Sequence, residues 1–156
     1  MYIEEEVKRK RSVFEVEDWR QAYNEIKSVL ENRFSFDRVK EDDFEHFQER
    51  GEVKSTIYCY KKLDENTNLQ LVLSVKMKES EKSRAKVSLA TKAIVVTEYP
   101  EDSWFHESAF YFALRSFWDK FVYGWARGKW KDEAEQTLID VHSELRGFFG
   151  SEETRR

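Results

Sequence analysis

The stretch Leu69-Gln70-Leu71-Val72-Leu73-Ser74-Val75-Lys76-Met77-Lys78 decides the fold. Leu69, Leu71, Leu73, Val75 and Met77 fall on one register. Gln70, Ser74, Lys76 and Lys78 fall on the other, with Val72 among them. A period of two is that of a β-strand with one face buried. Upstream, residues 53–60 alternate in the same way, with Val53, Ile57 and Cys59 on one face. A polar turn, Asp64–Asn68, separates the two strands. Downstream, the charged turn Glu79–Ser83 leads into a long third strand in which Val87, Leu89, Ala93 and Val95 face inward. Short polar connections between alternating strands predict an antiparallel meander. At Ala93-Ile94-Val95-Val96 both registers are apolar, which predicts either cover on both faces or a bulge.

The flanks of this region change period. Residues 1–14 carry apolar side chains at Tyr2, Ile3, Val7, Val13 and Phe14 among charges, which predicts an N-terminal strand. The run Lys8-Arg9-Lys10-Arg11 could bind phosphate, but it reads first as the charged protection of an edge strand. Over residues 17–33, Trp19, Ala22, Tyr23, Ile26, Val29 and Leu30 follow helical spacing, behind the acidic pair Glu17-Asp18. Residues 35–51 fit neither period. The acidic cluster around Asp42 and Asp43 could open a short helix there, with Gly51 as its end.

Beyond Pro100, Asp102 or Ser103 suits the cap of a long helix over 104–125, whose stripe of Phe110, Leu114, Phe117, Trp118, Phe121 and Trp125 is widened by Trp104, Phe105 and Phe112. Gly124 and Gly128 predict its end, and a last helix over 130–149 carries Trp130, Ala134, Leu138, Val141 and Leu145. The expected fold is therefore α+β. An antiparallel sheet, a three-stranded meander plus an N-terminal strand, is packed on one face by an N-terminal helix and two C-terminal helices. Residues 1–150 read as one domain and 151–156 as a flexible polar tail. The order of elements resembles that of helix-grip ligand-binding folds, with fewer strands and one more C-terminal helix. A likeness at that level carries no function.

Composition narrows the function classes. The 156 residues are 40% hydrophobic and 15% aromatic, enough to fill a core with large side chains. Lys and Arg number 27 against 31 Asp and Glu, so no global positive field draws in nucleic acid. One cysteine excludes an internal disulfide, and the expected setting is reducing and cytoplasmic. The acidic N-terminus is no signal peptide, and the charges within 104–125 argue against a membrane span. Abundant charge with few Gly, Asn and Gln resembles the composition of proteins from hot environments.

Chemical motifs are scarce. His46, His106 and His142 form no metal-binding spacing, so no metal is expected, although His46 stands beside Asp42, Asp43 and Glu45. His106-Glu107 in a first helical turn reads as a surface pair, and His142 as a residue at the border of the last helix's apolar stripe. Cys59 shares the apolar strand face and reads as an inert buried thiol. No glycine-rich loop could cradle a phosphate, and neither a cofactor nor catalysis is expected.

Two surfaces remain. The polar face of the sheet displays Lys54, Tyr58, Tyr60 and Lys62, then Lys76 and Lys78, then Lys86 and Lys92, with little acid. Lysine interleaved with aromatics suits anions or single-stranded nucleic acid. The aromatic helix, through Trp104, Phe105, Phe112, Trp118, Phe121 and Trp125, suits self-association, above all as a homodimer. A non-enzymatic assembly module is the leading expectation. An apolar ligand held between sheet and helices is a further alternative.

Overall fold

A computed structural model describes residues 2–79, 84–98, 112–113, 116–117, 120 and 123–149. Strand β1 spans Tyr2–Val16, helix α1 Trp19–Asn32, and strands β2 to β5 Arg38–Phe47, Glu52–Lys62, Thr67–Glu79 and Ala85–Glu98. Helix α2 spans Tyr123–Phe149. The five strands form one antiparallel sheet in the order β1-β5-β4-β3-β2. The chain therefore lays β1 down, crosses over through α1, and builds a four-stranded meander that returns to pair with β1.

The α+β class and the antiparallel sheet are as expected, but three details differ. Residues 38–47 are an edge strand, not the opening of a helix. Gly51 does end a helical element, a single 3-10 turn at Gln48–Arg50, where its φ of +59° supplies the left-handed cap. Two α-helices with full bounds, not three, stand among the described residues, and residues 112–113, 116–117 and 120 are helical as well. No helix break occurs at Gly124 and Gly128: α2 runs through both for 27 residues, roughly 40 Å at the usual rise. Most of the helix expected at 104–125 lies outside the described residues, as do His106-Glu107 and the tail at 151–156.

Local chemistry explains the elements. Asp18 caps α1, its carboxylate accepting from the Arg20 amide at 3.0 Å. The strict alternation of β4 puts Leu69, Leu71, Leu73, Val75 and Met77 wholly inside. Ile57 and Cys59 of β3 and Val87, Leu89 and Ala93 of β5 complete that face. Onto it pack Ala22, Ile26, Val29 and Leu30 of α1 and Ala134, Leu138, Val141 and Leu145 of α2. Both helices thus lie on the same inner face. Ion pairs rim it: Lys8 with Glu135 at 2.6 Å, Lys131 with Glu5 at 2.6 Å, and Lys61 with Glu133 at 3.2 Å. The bulge expected near Ala93–Val96 is carried by β1, whose register shifts between Glu6 and Lys8 opposite that stretch.

Candidate functional site

Register places every sheet residue on a face, because directly paired residues of an antiparallel sheet share one. Lys54, Tyr58, Tyr60, Lys76, Lys78, Lys86 and Lys92 all fall on the outer face, away from α1 and α2. Rows across the strands define the surface. One row reads Arg38, Tyr60, Gln70, Ile94 and Glu6 from β2 to β1. The next reads Lys40, Tyr58, Val72, Lys92 and Arg9, and the third Asp42, Thr56, Ser74, Ala90 and Arg11.

The expectation of little acid on this face is wrong. The edge strands, whose neighbours could not be read from sequence, bring carboxylates. So does Glu52, which carries its acid into the lysine rows. Glu52 sits 2.9 Å from the Lys76 ammonium and 3.8 Å from that of Lys54, and Lys76 holds its carboxyl below the usual carboxylate range. Glu15 is the direct cross-strand partner of Lys86. The end of the face holding Lys54, Lys76, Lys78 and Lys86 is therefore largely neutralised. Edge strands also bring cations to this face: Arg38 and Lys40 from β2, which sequence reasoning missed, and Arg9 and Arg11 from β1, part of the basic run Lys8–Arg11. Arg9 pairs with Glu6, and Lys92 stands 4.0 Å from the same carboxylate. Counted over the five strands, the outer face carries ten Lys and Arg against seven Asp and Glu. It is a positive face on an acidic chain.

Tyr58 and Tyr60 stand near the centre of this face. Their rings are nearly parallel, 14° between planes and 6.5 Å between centroids. Residues i and i+2 of a strand project on one side about 6.6 Å apart, which sets this spacing.

Of the aromatic candidates, Trp104, Phe105, Trp118 and Phe121 lie outside the described residues. Phe112 and Trp125 are on helical backbone and are 56% and 82% exposed, and Phe117 nearby is 59% exposed. Trp130, one turn further along α2 than Trp125, already packs against the core.

Two buried polar clusters complete the inventory. His142 is no border residue: it is wholly buried in the layer between α2 and the sheet. Its Nδ1 lies 2.8 Å from Ser12 Oγ on β1 and its Nε2 2.7 Å from Thr91 Oγ1 on β5. Burial first, then the nearby Lys10 and Arg146 charges, lower its pKa to about 4. A neutral imidazole has one N–H, so one hydroxyl accepts and the other donates. The three side chains resemble part of a hydrolytic triad in type only: the third member is a threonine, and all three are sealed from solvent.

On the other side of the core, Tyr23 Oη donates to Glu41 Oε2 at 2.6 Å and shares a 2.7 Å hydrogen bond with Ser55 Oγ. Burial raises the phenol's pKa, and Lys27 sits 3.1 Å from Glu41. Beside this cluster β2 bulges at Asp43, which takes a φ of +51° and donates its amide to Asp42 Oδ1. The bulge opens a surface depression of about 430 Å³ between Asp43, Glu45, Lys54 and Lys76, where both charge signs meet.

His46 packs on Trp19 with ring centroids 5.3 Å apart. Among the described residues no group of His, Cys, Asp and Glu could hold a metal ion. Cys59 is buried, and burial pushes its thiol up to about 12, as expected of an inert thiol. No helix among the described residues is long and apolar enough to cross a membrane.

No protein-family model matches the chain, and no curated protein matches it. Among solved structures, an uncharacterised protein from Rhizobium leguminosarum is 8% identical over 65% of this chain and 86% of its own. The TM-score of 0.23 is too low for that likeness to carry any argument.

Proposed function

We propose that this protein is a non-enzymatic assembly module that pairs with a second copy of itself through the aromatic segment ahead of α2's core-packed part. The observation that carries the reading is Trp125, 82% exposed on a regular helix. An indole buries some 150–250 Å² when covered, and leaving it in water forgoes a large hydrophobic gain. Phe112 and Phe117 extend the apolar surface. A two-fold contact lets one patch cover its own twin, so no separate partner is required. The buried clusters support a non-enzymatic role, since Ser12, His142 and Thr91 spend their polar groups on each other.

Substitution tests this reading. Trp125→Ala should weaken self-association at least ten-fold, the order expected for truncating an interface tryptophan. Its far-ultraviolet circular dichroism and thermal midpoint should stay near wild type, because Trp125 contributes little to the core. Unchanged association in Trp125→Ala and in a Phe112→Ala, Phe117→Ala double variant would exclude this surface.

A further inference from the structure

We infer that the paired Tyr58 and Tyr60 rings form a slot for one nucleobase of a single-stranded nucleic acid, with Arg38, Lys40 and Lys92 taking the flanking phosphates. This surface is separate from the aromatic segment, and the inference stands or falls independently of self-association.

The geometry carries the argument. A planar ring inserted between two others needs about 7 Å, two contacts of roughly 3.5 Å. The tyrosine centroids are 6.5 Å apart with planes within 14° of parallel, so a small rotamer adjustment admits a base. Arg38 is the cross-strand partner of Tyr60, and Lys40 that of Tyr58, so each ring has a cation on its β2 side. On the β4 side Tyr60 faces the Gln70 amide, which can read a base edge, and Tyr58 faces Val72, with Lys92 beyond. Two carboxylates lie close by: Asp37, whose amide donates to the Tyr60 carbonyl and whose Oδ2 accepts from the Lys62 amide at 2.6 Å, and Asp42, one row away on the diagonal and 3.9 Å from Lys40. Glu6 lies three strands from Tyr60, roughly 14 Å across the sheet. A phosphate competes readily for such exposed cations, whose surface pairings are worth little. Stacking is sequence-tolerant, so the occupant is a strand of either sugar type with broad base preference.

Fluorescence anisotropy at about 50 mM salt tests the inference, using labelled oligouridine and oligodeoxythymidine of about twenty nucleotides. Inorganic polyphosphate serves as the charge-only probe. Wild type should bind one or both strands, with affinity falling as salt rises. Tyr58→Leu and Tyr60→Leu, which keep an apolar strand residue and the fold, should each lose about ten-fold, the worth of one base stack. Tyr60→Phe should bind like wild type, and Arg38→Gln should weaken binding and flatten its salt dependence. The ratio of the two strand affinities then tells RNA from DNA. No binding of either strand overturns the inference. So does equal affinity of wild type and the leucine variants, with polyphosphate bound as tightly as the oligonucleotides.

Discussion

His142 shows how a single side chain couples the layers of this molecule. It reaches from α2 to hydroxyls on β1 and β5, and its burial holds the imidazole neutral, with a pKa of about 4 against an ordinary 6.5. Between those two values unfolding takes up a proton. The contribution is therefore fully present above pH 6.5 and is lost progressively as the pH falls towards 4. The linkage is worth about 3 kcal/mol across that window. Urea unfolding at pH 7, 6, 5 and 4 should show wild type losing that much more stability than His142→Gln, which has no proton to bind. Parallel pH profiles would assign acid sensitivity elsewhere. Tyr23 offers a second test at this scale. Tyr23→Phe strips a hydrogen bond from Ser55, which is buried, and from Glu41, and should cost about 1–3 kcal/mol in the same assay at pH 7.

At the scale of elements, legibility in the sequence followed from how clean each period was. β3, β4 and β5 could be read because an inner face of Ile57, Leu71 and Leu89 alternates with a polar one. β2 could not. It is an edge strand with only Val39 packed against the core, and the bulge at Asp43 breaks the alternation midway. The same cause hid half of the sheet-face site. Lysines of β3, β4 and β5 could be placed by alternation, whereas Arg38 and Lys40 needed the strand order and register. Helix α2 was divided wrongly because glycine costs a helix about 1 kcal/mol without forbidding it, and Gly128 faces open space. Gly128→Ala should accordingly raise stability by up to about 1 kcal/mol in thermal or urea unfolding. Gly51→Ala should lower it by about the same amount or more, since a φ of +59° crowds any Cβ and Glu79 lies 3.4 Å from its position. Opposite signs at these two glycines are the expected result, and a loss at Gly128 would contradict the continuous helix.

The whole molecule separates its surfaces by character. One sheet face is covered by two helices and carries the core. The other holds an excess of cations on a chain whose net charge is −4. The aromatic segment before α2's core-packed part presents Phe112, Phe117 and Trp125 to solvent. Aggregation through that segment would be indiscriminate if it were only a sticky helix, whereas a two-fold contact closes on itself and stops at two copies. Sedimentation equilibrium of the wild-type chain over a wide range of loading concentrations tests this most directly. A single reversible monomer–dimer equilibrium, rising to twice the 18.8 kDa of one chain and no further, is the predicted result. An 18.8 kDa monomer at every concentration would contradict it.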